Sequence, residues 1–399
     1  MIKISYPIDP IELQKFKQDY IDIFFKYVQY RDAVEDTYKI KSKLNNLGIP
    51  SIDIKILLVE DFSTLCEKEE KIDYLKLSSA YFTKYPEKDL KVEDYCTKYK
   101  SKVLKALNYE GRQAQISNFF MQNNDKLQLG TCYTCNIDFI NMFDDIGDYQ
   151  NSVEFCNEAD AIELQKIEKI DEVQASKIIK IRNISLLTSI SQLSSVLTAE
   201  EIDFLNNMTL KQQYKHFTLD HFLDKGSNPI LSLSLFNFVP MCYPCNSLFK
   251  RTLPIVVDKK KDCYLSPTHK DYMFDANVSF SYINHNPTSK IDNVEDFQLK
   301  LAYKDDAYKI HSRIFKLDGR YKAHKEIVLD LHNNSIDYSE TQIKEFAKMS
   351  KNNTIENRSN IKKVIFGKEI FDGEVQKIPL TKLKRDIAKQ IGIDGVKET

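Results

Sequence analysis

Residues 216–251 read HFTLDHFLDKGSNPILSLSLFNFVPMCYPCNSLFKR and carry, in order, an acid–histidine pair, an asparagine and a Cys-x-x-Cys turn. The pair is Asp220-His221 and the asparagine is Asn237. The turn is Cys242 and Cys245, with Asn246 directly behind it and Lys250 and Arg251 further on. A second Cys-x-x-Cys, Cys132 and Cys135, stands upstream in GTCYTCN. Two such turns supply four thiolates from two short loops, which is a ligand set for a structural Zn²⁺. One pair alone is weak evidence, because redox motifs share the spacing. Two pairs, each followed by Asn, predict a four-cysteine zinc site.

The acid, the histidine and the asparagines suggest a second centre. Phosphodiester hydrolysis needs a deprotonated water, together with positive charge on the phosphate and the leaving oxygen. A neutral His is suited to taking that proton near pH 7. Asp220 and the amide oxygen of Asn246 are the kind of oxygen donors that Mg²⁺ accepts while keeping several waters. Taken singly, Asp-His is an ordinary surface dipeptide and Asn237 an ordinary turn residue. Their order together with the cysteines carries the reading. Lys250 and Arg251 are expected to meet phosphate oxygens without reading bases. Lys259, Lys260 and Lys261 extend that patch or form a solvated charged run.

The series Asp220-His221, Asn237 and Cys242-x-x-Cys245-Asn246 resembles the HNH endonucleases, members of the ββα-metal (His-Me finger) nucleases. The upstream Cys132-x-x-Cys135 resembles the zinc-bearing branch of that family. The match covers about 130–147 and 211–265, and FKLDGRYKAHKE at 315–326 looks like a stretch downstream in bacterial proteins of this branch. The resemblance implies His221 as general base, with Asp220 and Asn246 holding one catalytic Mg²⁺ or Mn²⁺. It also implies that Asn237 fixes a loop through side-chain hydrogen bonds, and that the protein is antiviral, defending bacteria against phage. The third signature position, often His in the family, is Asn246 here, a variant that keeps an oxygen ligand. Such proteins often work beside an ATPase or sensor subunit. This chain has no Walker A sequence, so an ATPase would be a separate protein.

Several elements must position these residues. Asp9 caps a first helix at Pro10, with Ile11, Leu13, Phe16, Tyr20 and Ile23 at helical spacing, which predicts a helix to about Leu47. Residues 53–83 and 90–123 also read as helices, and nothing in 1–120 suggests chemistry. Thr198 and Glu201 fit a capping box within a polar helical stretch. Residues 215–222 alternate as a strand, with Phe217, Leu219 and His221 on one face and His216, Thr218 and Asp220 on the other. A helix is expected from Cys245. Strand-like runs at Val278–Tyr282 and Phe297–Tyr303 flank Asn286-Pro287, and another helix begins near Tyr321.

The predicted fold is α+β: a mostly helical protein around a small ββα-metal finger stapled by zinc. The expected segments are a helical domain at 1–122, a nuclease core at 123–150 with 211–273, and a helical insertion at 151–210. An accessory β element at 274–310 and a lysine-rich helical region at 311–399 follow.

The chain has 399 residues, 42% hydrophobic and 29% charged, with net charge −1. That is enough for real cores, and the neutral balance excludes no partner, since a nucleic-acid site needs only local positive charge. No apolar signal core or run of about twenty apolar residues is present, so a cytoplasmic protein without membrane partners is expected. In a reducing compartment, paired cysteines read as metal ligands. The four scattered ones, Cys66, Cys96, Cys156 and Cys263, read as small buried hydrophobes. The histidines outside the motif take the same bland reading, with His324 the exception because it lies in the 315–326 stretch.

Three readings follow. The first is a Mg²⁺-dependent nuclease cutting DNA. The second is a non-catalytic zinc-stapled module binding nucleic acid or a partner protein. The third is the same nuclease acting on RNA such as a tRNA, because a finger contacting mostly backbone does not separate DNA from RNA.

Overall fold

The computed structural model describes residues 2–25, 40–49, 53–144, 149–167, 169–207, 213–256, 258–285, 288–349 and 354–397. The described chain is mostly helical, with three two-stranded antiparallel sheets. It divides into two compact units, Met142–His216 and the remainder, Met1–Asn141 with Phe217–Thr399.

The smaller unit begins and ends on its own ribbon. Strand β1 (Met142–Asp144) pairs with β2 (Gln213–Lys215), placing Phe143 opposite Tyr214. Helices Ser152–Glu158, Glu172–Ile184 and Ala199–Asn207 close over a core containing Phe155, Leu164, Ile178, Leu193 and Leu205. The Thr198–Glu201 capping box is present, since the Thr198 N–H donates to Glu201 Oε2 and the Glu201 N–H to Thr198 Oγ1.

The run expected as one strand at 215–222 is split. β2 ends at Lys215, and β3 (Thr218–His221) starts after Phe217 and pairs with β4 (Phe238–Met241). The break at His216-Phe217 is where the chain passes from one unit to the other. β5 (Val278–Ile283) and β6 (Gln298–Tyr303) form the accessory hairpin the alternation predicts. Within its connection, Asn286 and Pro287 lie outside the described residues.

The larger unit's first helix is Pro10–Phe25, and Asp9 caps it by accepting from the Ile11 and Glu12 N–H groups. The chain is again helical over 40–46, and residues 26–39 are not described. Residues 53–83 form three helices rather than one: Ile54–Val59, Phe62–Glu70 and Tyr74–Lys84. Asp61 and Asp73 cause the breaks, because each caps the next helix by accepting from Thr64 N–H and Lys76 N–H. The 90–123 stretch is likewise two helices, Tyr95–Leu107 and Tyr109–Gln122, joined at Asn108 with φ +54.

These N-terminal helices share a core with the motif-bearing segment. The Tyr20 hydroxyl donates to the Leu233 carbonyl and the Ser234 hydroxyl to the Leu57 carbonyl. The C-terminal region is equally integrated. Its segment at 376–377 lies so close to Gly130 that a Cβ there would meet the Gln376 carbonyl at 2.6 Å. Only glycine tolerates that approach. No described helix is long and apolar enough to cross a membrane.

Candidate metal and nuclease site

The four paired cysteines converge. Cys132, Cys135, Cys242 and Cys245 are buried, and their sulfurs all lie within 4.8 Å of one another. Zinc–sulfur bonds of about 2.3 Å in a tetrahedron place sulfurs about 3.8 Å apart, and Cys135 and Cys242 stand at 3.9 Å. Each turn is built for this. In the first, the Asn136 N–H donates to the Cys132 carbonyl and Asn136 takes φ +52. The Asn136 side chain donates to Thr131 Oγ1 and to the Val375 carbonyl, tying the turn to the C-terminal segment. In the second, the Cys242 N–H donates to Cys132 Sγ at 3.4 Å, so the two halves are joined directly.

Thiols this close cannot ionise together unaided. Burial and the neighbouring cysteines push the Cys245 thiol up, and the neighbouring cysteines push Cys242 up. Burial opposes ionisation of Cys135 too, but hydrogen bonds from the other three cysteines and the Arg320 charge pull it well down. A divalent cation is what allows all four to be thiolates, so the donor set fits zinc.

Arg320 is a participant that the sequence reading did not single out, although it lies in the 315–326 stretch. Its Nη1 donates to Cys245 Sγ at 3.1 Å and its Nη2 to Cys135 Sγ at 3.4 Å. Nη2 also pairs with Asp138 at 2.8 Å, and the guanidinium lies over the Phe249 ring. A four-thiolate zinc site carries two net negative charges, and Arg320 offsets one of them. Arg320→Met is expected to weaken zinc retention about 10–100-fold against a competing chelator. Unchanged retention would show that the contact has no bearing on the metal. His324 begins the next helix and is not part of the cysteine cluster.

The second centre lies on β3, β4 and the short helix Pro244–Lys250. That helix is wide, and the Arg251 N–H reaches back five residues to the Asn246 carbonyl. His221 is buried at 7% exposure, opposite Phe238 across the hairpin. Its ring sits 4.7 Å from both Tyr109 and Phe238. Nε2 lies 2.9 Å from the Ser232 carbonyl, which can only accept. The tautomer is therefore set, with the proton on Nε2 and the basic lone pair on Nδ1. Burial lowers the imidazole pKa to about 4, so the ring is neutral at pH 7.

Asp220 is 5% exposed. Oδ1 accepts from Lys250 Nζ at 2.8 Å, while Oδ2 is buried without a hydrogen-bond partner. Burial raises its pKa to about 6, against the pull of Lys250. Asn246 Nδ2 donates to the hydroxyl of Thr218, two residues before Asp220 on the same strand face. That leaves the amide oxygen as the Asn246 donor. The orphaned Asp220 oxygen and the Asn246 amide oxygen are donors of the kind a hard divalent cation accepts.

Asn237 is fully buried. Its Oδ1 accepts from Leu223 N–H, and its Nδ2 donates to the carbonyls of Leu223 and Leu231. It thus clamps the loop between β3 and β4 that presents Ser232 to His221.

Lys250 and Arg251 are separated by their surroundings. Lys250, expected at a phosphate, is only 1% exposed and donates to Asp220 and the His221 carbonyl. Arg251 is exposed, at φ +49, and points to no described acid. Lys261 is exposed beside Asp258, and the side chains of Lys259 and Lys260 lie outside those described. Tyr109 is the other participant missed in the sequence. It comes from the N-terminal helices, where a buried tyrosine at helical spacing reads as core. Lys225 sits over its ring at 4.3 Å, and both line a cavity of about 210 Å³ with Lys105 and Glu110.

No protein-family model, curated protein or solved structure matches this chain.

Proposed function

We propose that this protein is an HNH-type endonuclease that hydrolyses phosphodiester bonds, most readily in DNA. The observation that supports the reading is tautomer-fixed His221 next to Asp220 on β3, with Asn246 hydrogen-bonded to Thr218 of the same strand. His221 Nδ1 takes the proton of the attacking water, whose oxygen adds to phosphorus. The 3′ oxygen leaves, giving a 5′-phosphate and a 3′-hydroxyl. The Ser232 carbonyl holds the imidazole through Nε2, and Asn237 holds the loop that carries Ser232. Asp220 and Asn246 would hold a Mg²⁺ or Mn²⁺ ion, which supplies positive charge to the phosphate and leaving oxygens. Zinc in the four-cysteine cluster serves structure alone. The same proposal includes a role in defence against phage with a separate ATPase or sensor subunit, which rests on the family resemblance.

One observation favours a second reading. Lys250 already supplies a cation to Asp220, as in a zinc-stapled module that binds nucleic acid without cutting it. Incubating plasmid DNA and a structured RNA with Mg²⁺, Mn²⁺ or EDTA separates these. Metal-dependent cutting of DNA is expected. Cutting of RNA alone would keep the chemistry and change the substrate. Tight binding with no cutting of either would establish the module.

A further inference from the structure

The cavity at Tyr109 is lined by groups that the chemistry at His221 does not use. Lys105 stands on the last turn of helix Tyr95–Leu107, Tyr109 and Glu110 open helix Tyr109–Gln122, and Lys225 follows β3. Ser101 and Asn108 add a hydroxyl and an amide. Tyr109 is the buried member, Lys225 is half-buried, and Lys105 and Glu110 are exposed. At about 210 Å³ the cavity is smaller than the roughly 300–1,000 Å³ of pockets that enclose a whole small molecule.

Lys225 is presented by a fixed turn. The Ser227 N–H donates to Asp224 Oδ2 at 2.9 Å, and the Asn228 N–H and side chain both donate to the Asp224 carbonyl. Leu223, just before that turn, is clamped by Asn237. Lys225 Nζ lies 4.3 Å from the centre of the Tyr109 ring, and the His221 imidazole lies 4.7 Å from the same ring. No described carboxylate forms an ion pair with Lys105 or Lys225, and Glu110 is the one acid among the lining residues described. Two lysines against one glutamate leave the cavity net positive, and a half-buried ammonium without an ion partner favours an anion.

We propose that this cavity is a phosphate subsite, in which Lys225 and Lys105 hold a backbone phosphate of a nucleic-acid strand whose neighbouring phosphate lies at His221. Ser101 and Asn108 are further donors to the same anion. The inference rests on the reading that a strand lies at His221, and it adds where that strand continues. Such a contact positions the backbone and reads no bases. It also supplies a cation that the finger lacks, because Lys250 is taken up by Asp220. The positive charge for the strand then comes from the N-terminal helices and the Lys225 turn.

The test measures binding of the zinc-loaded full chain to two short DNA duplexes of unrelated sequence and to an RNA duplex. It runs across a salt series without added Mg²⁺ or Mn²⁺, so that binding is read without cutting. Each phosphate contact contributes about 0.9 to the slope of log affinity against log salt. Lys225→Met and Lys105→Met are each expected to lower that slope by about 0.9. Each should also weaken binding about three- to tenfold at about 0.15 M salt, alike for both DNA sequences. Lys225→Arg is expected to keep the slope, and Glu110→Gln to tighten binding by about twofold or more. The same losses on RNA alone would keep the subsite and change the strand. A slope unchanged in either lysine-to-methionine variant, or no binding of the wild type to any of the three duplexes, would overturn the proposal. Lowered slopes in a chain that never cuts would uphold the subsite and remove the nuclease reading, and unchanged slopes in a chain that cuts would do the reverse.

Discussion

His221→Ala is expected to lower metal-dependent cleavage by about a hundred- to ten-thousandfold, the usual contribution of a positioned general base. The expectation follows from the tautomer. The Ser232 carbonyl accepts a hydrogen bond from Nε2–H, so Nδ1 is the ring's only proton acceptor. The ring is also packed between Tyr109 and Phe238, so alanine leaves a cavity costing about 2–4 kcal/mol. His221→Gln separates the two effects. Glutamine fills more of the space and can still donate to Ser232, but it cannot take a proton at pH 7. Both variants should retain about one zinc per chain and lose cutting alike. Cleavage surviving in both would remove His221 from the chemistry and leave the site without a base.

Removing zinc is expected to have the largest effect on stability. Structural zinc sites contribute an apparent free energy of about 10–16 kcal/mol, comparable to or larger than a domain's whole stability of about 5–15 kcal/mol. Here the sulfurs hold the Gly130–Asn136 turn, the β4 end and the start of the site helix together. Chelation of the reduced protein, or Cys242→Ser, should abolish the cooperative melting of the larger unit, and zinc should restore it in the chelated wild type. A melt unchanged by loss of zinc would mean that packing around Arg320 and Asn136 suffices.

The parts legible in the sequence are those set by local spacing. The two cysteine turns, the Asp9 cap, the Thr198–Glu201 box and the β5–β6 alternation all have short-range causes, and all appear in the fold. Asn237 was legible only through the order of the motif, and its three side-chain bonds give that position its physical sense. The rest depends on distant partners. Lysine is ordinarily a surface residue, so nothing near Lys250 announced that Asp220 would draw it inside. Tyr109 and Arg320 act through contacts with residues far along the chain. The helix boundaries at Asp61 and Asp73 were not legible because apolar spacing continues across them, while their side chains cap the helices that follow.

The separation of Cys135 from Cys242, 107 positions apart yet 3.9 Å between sulfurs, has a consequence for how the chain can change. Zinc held by the four cysteines would close a loop in which Met142–His216 is entered and left through the β1–β2 ribbon. Closing such a loop costs only about 0.6 kcal/mol more for each doubling of its length. Such a closure would cost little more however long the segment between its halves, so replacing Met142–His216 by a short linker is expected to leave zinc binding by the four cysteines intact.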